Sequence, residues 1–125
     1  YGLDMRGVKL QGAHLEGADL RACNLRGADL RGARLARARM NGADLREAHL
    51  GPLLIAEDRL LPADLTGAVL RAADLSGADL RHAQLAEADL RRARLSGAQT
   101  RQADFTLTRL EGAIGMALID KDAGQ

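Results

Sequence analysis

One short phrase recurs through the chain: Ala18-Asp19-Leu20-Arg21-Ala22, then Ala28-Asp29-Leu30-Arg31-Gly32, then Ala43-Asp44-Leu45-Arg46-Glu47. A repeat of five residues excludes two ordinary structures. On an α-helix each residue turns about 100°, so leucines five apart spiral over the whole surface and leave no apolar stripe. The recurring glycines would also cost about 1 kcal/mol each relative to alanine. A long flat strand fails because five is odd, and successive leucines would face opposite sides. The pattern suits a chain that runs extended for three residues and then turns a corner. In Ala-Asp-Leu the first and third side chains share one face and the middle one takes the other. The next two residues, often Arg-Gly, bend the chain, and Gly accepts positive φ there without steric cost. Four sides close a square coil of about 20 residues, and stacked coils hydrogen-bond at roughly 4.8 Å. The fold class implied is all-β.

The register is strict. From 5 to 110 every fifth residue is Leu except Met5, Met40, Ile55, Thr100 and Phe105. The residue two before is Ala except Leu3, Val8, Cys23, Leu53, Asp58 and Thr108. A large side chain beside a small one, layer after layer, fills a narrow interior without voids. The expected core is therefore Leu10, Leu15, Leu20, Leu25, Leu30, Leu35, Leu45, Leu50, Leu65, Leu70, Leu75, Leu80, Leu85, Leu90, Leu95 and Phe105. Cys23 takes an inward small position and reads as a buried core residue.

This run resembles the pentapeptide-repeat family, whose motif is A(D/N)LXX. The resemblance extends from about Leu3 to Leu110. It implies a right-handed quadrilateral β-helix, here of about five coils, over residues 1–110 with an interruption at 51–62 and a C-terminal cap or tail at 111–125.

With 125 residues the chain fits one domain. Aromatic residues make up 2% of it, which argues against a conventional globular core. A net charge of +1 argues against strong non-specific attraction to nucleic acid or to acidic surfaces. Lacking an apolar run of about 18 residues and a visible signal peptide, the sequence reads as cytoplasmic, with no membrane partner. The opening at Tyr1 without Met suggests a processed protein or a piece of a longer one. An upstream segment would be the natural cover for the open backbone of the first coil.

Residues 20 apart should stack in ladders, placing Arg6, Arg26 and Arg46 in one outer column beside Asp4, Asn24, Asp44 and Asp64. The neighbouring Asp column is expected to offset the Arg column. Arg34, Arg37 and Arg39 form a second basic group around one corner. The repeat breaks between Gly51 and Pro62, where Asp58 falls on an inward position. Either these residues form two distorted sides, or about ten of them leave the coil as a loop and shift every later ladder by half a coil. The excursion is preferred, because a buried unpaired carboxylate is costly and prolines bracket the break. Most of Leu53, Leu54, Ile55, Leu60 and Leu61 are expected to pack back on the coil, and any remainder is a partner-site candidate. At the far end Phe105 should fill the last layer. Gly112–Asp120 leaves the five-residue pattern as a cap or as a self-association surface, and Lys121–Gln125 should fray.

Catalysis needs groups that converge on a concave site. His14, His49 and His82 fall at outward or corner positions on different sides, so neither a metal site nor a catalytic centre is expected, and no cofactor. The Asp residues are the middle residues of the repeat and point to solvent. The glycines recur at corners and form no phosphate-cradling loop. Direct nucleic-acid binding is disfavoured because Asp alternates with Arg and stacking aromatics are nearly absent.

What remains is a rod about 25 Å long that works by its surface. The expected function is a non-catalytic protein-interaction or scaffold module, with Leu53, Leu54, Ile55, Leu60, Leu61, Arg6, Arg26 and Arg46 as candidate partner-binding residues. The resemblance implies an alternative. Some bacterial members imitate duplex DNA, bind DNA gyrase or topoisomerase IV, and protect them from quinolone-type inhibitors. Those members have an acidic rod, dimerise through a C-terminal segment, and some carry loops. This chain is similar in its candidate loop and C-terminal segment, which would make a homodimer. It departs in charge, since Arg21, Arg26, Arg31, Arg46, Arg71, Arg81 and Arg91 neutralise the Asp columns.

Overall fold

The computed structural model describes residues 1–115, and these wind into a right-handed, four-sided β-helix of about five coils. Each side contributes one outward middle residue, and these residues pair in parallel with their counterparts one coil away. Four ladders result: Asp4–Asn24–Asp44–Asp74–Arg94–Ile114, Lys9–Asp29–His49–Asp79–Gln99, His14–Arg34–Asp64–Gln84–Asp104 and Asp19–Arg39–Val69–Asp89–Arg109. They are named below by their first residue, as the Asp4, Lys9, His14 and Asp19 sides.

Backbone hydrogen bonds hold each side to its neighbours above and below. On the Asp4 side Leu25 N–H donates to Asp44 O at 2.7 Å, Gly27 N–H to Arg46 O at 3.0 Å, and Asp44 N–H to Cys23 O at 2.9 Å. The corner closes with a bond from Ala28 N–H to Leu25 O at 3.0 Å, three residues back. Its third residue has positive φ, as a type II turn demands. Glycine was expected here, and Gly27 takes it at φ 64, yet Ala22, Arg37, Glu47, Ala72, His82, Glu87, Arg92, Gln102 and Leu107 take it too, at φ 56 to 62. A left-handed non-glycine residue costs about 1–2 kcal/mol. The bonds to both neighbouring coils over-determine the corner and hold it there.

The interior is as the five-residue register requires. Leu20 through Leu50 and Leu65 through Leu95, at every fifth residue with Met40 among them, are buried, as are the Ala residues two before them from Ala28 onward; Cys23 takes one small position and Ala18 is half-buried. Leu10 and Leu15, in the first coil of the described residues, are half-buried. Phe105 is also half-buried, but it does not close the stack: Leu110 and Ala113 pack against the core beyond it. The expected departure at Gly112 is corrected as well. Ile114 N–H donates to Ala93 O at 3.0 Å and Ile114 O accepts from Leu95 N–H at 3.0 Å, so the coil runs to Ile114. The rest of the expected cap and dimer segment, from Met116 onward, lies outside the described residues.

The break at 51–62 is an excursion. Ladder partners are 20 residues apart before it (Asp4 and Asn24) and 30 apart across it (Asp44 and Asp74). Ten residues therefore leave the coil, and the winding resumes where it stopped. The prolines explain where. Pro52 and Pro62 each fall two residues after a multiple of five, on the corner position that needs positive φ. Proline holds φ near −65°, so neither corner can form. Asp58 is then exposed on the loop and needs no buried partner. One expected column changes in consequence. Asp74, not Asp64, stands beyond Asp44, and Asp64 stands over Arg34 on the His14 side.

Replacing residues 51–62 by Gly-Gly should leave the circular-dichroism spectrum unchanged and the thermal melt cooperative, since the coils on either side already stack in register. Leu75→Ala, at 1% exposure, should cost about 2–5 kcal/mol in a denaturant titration, as truncations of buried leucine do.

Candidate interaction surface

The excursion is a β-hairpin. Strand β1 (Leu53–Ala56) pairs antiparallel with β2 (Arg59–Leu61), Leu53 opposite Leu61 and Leu54 opposite Leu60, with an irregularity at Ile55. Directly opposed residues share a face, so the two pairs point opposite ways. Leu53 and Leu61 face the coil. A Cβ placed on Gly32 would lie 2.8 Å from Leu53 Cβ and 3.1 Å from Leu61 O, and one on Gly12 would lie 3.7 Å from Leu53 Cδ2. The hairpin is thus seated on the corner between the Lys9 and His14 sides, and at Gly32 only glycine leaves room. Gly51, at its root, is held to glycine by Asp79, whose Oδ2 would be 2.8 Å from an added Cβ.

The outward pair does not pack back. Leu54 is 63% exposed, Leu60 53% and Ile55 47%. Only two of the five apolar residues rest on the coil, which corrects the expectation that most would. The reason is the period-two alternation of a strand: once one face is seated, the other must look away. Beside the hairpin an open groove of about 320 Å³ is lined by Pro52, Leu60, Pro62, His82, Gln84, Gln102 and Asp104. Sequence reasoning did not connect these groups. His82 and Gln102 come onto the corner above Gly32 only after the half-coil shift that the hairpin imposes.

The charged surface is organised locally. In each Asp-Leu-Arg run the carboxylate accepts three bonds: Asp79 Oδ1 accepts from the Arg81 backbone N–H at 3.0 Å, while the Arg81 guanidinium folds back onto both carboxylate oxygens at 2.8 and 2.9 Å. The same arrangement recurs at Asp4–Arg6, Asp19–Arg21, Asp29–Arg31, Asp44–Arg46 and Asp89–Arg91. The guanidinium bond is the main reason each of these carboxyls titrates below the usual aspartate value of 3.8. Of the candidate column, Arg6 and Arg46 are therefore occupied by Asp4 and Asp44. Arg26 differs: Asn24 accepts from its backbone N–H at 3.2 Å but offers no charge. His14, His49 and His82 stand in three different columns, and among the described residues no three His, Cys, Asp or Glu side chains converge on a point that could hold a metal.

The paired carboxylates set an acid dependence with a definite sign. Their folded pKa lies below 3.8, so their contribution is present above that pH and is lost as pH falls through it. Thermal melts should be level from neutral pH to about pH 5 and fall below about pH 4. Asp79→Asn keeps the turn acceptor, as Asn24 does, and should cost under about 1 kcal/mol, the scale of an exposed ion pair. Asp79→Ala loses the turn bond as well and should cost about 1 kcal/mol more at neutral pH.

Known proteins share this architecture. A family profile described as pentapeptide repeats matches in 8 copies over residues 1–42, 13–51, 63–99 and 83–114, stopping and resuming where the hairpin leaves and rejoins the coil. The crystal structure of a pentapeptide repeat protein, Rfr23 from the cyanobacterium Cyanothece 51142, superposes with a TM-score of 0.75 at 27% identity, over 90% of this chain and 83% of that one. QnrB1, a plasmid-mediated fluoroquinolone resistance protein, superposes with a TM-score of 0.57 at 24% identity, over 84% of this chain and 49% of that one, a likeness of fold. No curated protein sequence matches the chain. By the repeats that fill both halves of its coil, the chain belongs to the pentapeptide-repeat family.

Proposed function

We propose that this protein is a non-catalytic interaction module that holds a protein partner against its projecting hairpin. The observation that carries the reading is the outward pair Leu54 and Leu60 with Ile55, exposed side by side on a hairpin whose other face is fixed to the coil. Exposed apolar groups on a rigid mount lose little conformational entropy when they are covered, which is what a contact residue needs. The adjoining groove adds polar groups from His82, Gln84, Gln102 and Asp104, giving an apolar centre with a polar margin.

The alternative, a duplex-DNA mimic directed at a type II topoisomerase, draws on the fold shared with QnrB1. It requires a continuous line of uncompensated carboxylates. The Asp–Arg pairs break that line, so the interaction reading is preferred. A gyrase supercoiling assay with micromolar protein should show neither inhibition nor protection from a quinolone.

Leu54→Ser with Leu60→Ser should leave the melting temperature within a degree or two, because both side chains are more than half exposed. In affinity capture the same variant should lose the proteins that the parent retains. Equal recovery by parent and variant would remove the hairpin as the contact site.

A further inference from the structure

The ladder aspartates are not all alike. Asp4, Asp19, Asp29, Asp44, Asp79 and Asp89 are each neutralised by the arginine two residues later, and Asp74 has Arg46 at 3.9 Å. Among the described residues, Asp64 and Asp104 are the two ladder aspartates with no cation within ion-pair distance. Threonine stands where the arginine would, at Thr66 and Thr106. The turn is still served. Thr66 N–H donates to Asp64 Oδ1 at 3.0 Å, and the backbone N–H and hydroxyl of Thr106 donate to Asp104 Oδ1 at 2.9 and 2.6 Å. Each turn uses one carboxylate oxygen and leaves Oδ2 without a partner among the described residues.

Both carboxylates stand on one side. Asp64, Gln84 and Asp104 are successive rungs of the His14 ladder, which sets the two aspartates about 10 Å apart with Gln84 between them. Gln84 and Asp104 line the groove beside the hairpin, and Asp64 follows Pro62 by two residues at the hairpin's foot. Apolar groups border this strip on either hand: Pro52, Leu60 and Pro62 at the hairpin, and Leu107, 77% exposed, on the opposite corner. From the rung of Asp64 upward this side, its two corners and the hairpin carry Glu57, Asp58, Asp64, Glu87 and Asp104 against Arg59, Arg81 and Arg101. Arg81 is already held by Asp79. Arg34, one rung below Asp64, lies beyond ion-pair distance of it, and counting it leaves the sign negative. The chain as a whole carries +1, so this region runs against the rest.

We propose that the partner segment held beside the hairpin is basic and amphipathic, with lysine or arginine against Asp64 and Asp104 and apolar side chains against Leu60 and Leu107. The inference rests on the reading of the hairpin as the contact site and names the chemistry of what it holds. A cation arriving at Asp104 displaces no internal partner, whereas at Asp79 it would have to displace Arg81. The Gln84 and Gln102 amides each offer a donor and an acceptor to the segment's backbone. A metal ion fits less well, since carboxylates about 10 Å apart cannot share one. Nucleic acid would bring its phosphates against the unpaired carboxylates.

The test reads fluorescence anisotropy at about 0.15 M salt, where exposed charges more than about 8 Å apart are largely screened. The probes are a labelled peptide alternating lysine and leucine, its counterpart with glutamate for lysine, and its counterpart with glycine for leucine. The parent protein should bind the lysine–leucine peptide at least about tenfold more tightly than either counterpart. Asp64→Asn with Asp104→Asn keeps the turn acceptor, as Asn24 does, and should weaken that binding about tenfold with an unchanged melt. Asp4→Asn with Asp44→Asn, the same change of net charge on another side, should alter it less than about twofold. Absence of lysine–leucine binding, equal binding of the glutamate counterpart, or equal losses in the two variants would overturn the proposal. Equal binding of the glycine counterpart would reduce the site to a cation site and overturn the amphipathic occupant. Affinity capture separates this inference from the reading beneath it. If Leu54→Ser with Leu60→Ser loses partners that Asp64→Asn with Asp104→Asn retains, the hairpin stands as the contact site and the basic segment is rejected.

Discussion

The structure depends on the width of its interior. Each side contributes one leucine and one alanine to a channel that leucines from four directions fill completely, so that the inward leucines from Leu25 to Leu50 and from Leu65 to Leu90 are essentially without solvent contact. A wider or polar residue at these positions would open the walls, and the hydrogen bonds between coils would lengthen with them. With the inside committed to packing, the charged side chains and the histidines lie outward on the sides, corners and hairpin. Groups on convex surfaces point apart. The same constraint that makes the fold regular makes recognition by surface the natural use for it.

The outward residues have structural duties of their own. Each corner leaves one backbone N–H, that of the residue after leucine, without a partner in the neighbouring coil. Asp supplies the acceptor for it, as Asp44 does for Arg46 at 3.1 Å, and so does Asn24 for Arg26. The motif tolerates Asp or Asn for this reason. Where Arg follows two residues later, the carboxylate acquires its counter-charge within the same run. A rod built this way is close to neutral on each such run whatever its length. Departures from the run then stand out, as at Val69, which has no carboxylate to give.

The interior was legible in the sequence because one physical rule, a large and a small side chain turned inward every five residues, leaves a trace that no other structure shares. What the break would do was harder to read. Ten residues are two repeats, so the phase of the leucines is identical whether Gly51–Pro62 stays in the coil or leaves it. The deciding signal was the position of the prolines. Pro52 and Pro62 fall where the corner needs positive φ, which proline cannot supply, whereas Arg37, Glu47 and His82 adopt it at a cost. The neighbours of the groove were hidden for the same reason, since Gln84 and Asp104 come to the hairpin's side only after the shift. Charge pairing was read too broadly, as columns of opposite sign, because the bond from Asp to the arginine two residues later depends on a turn that composition does not reveal.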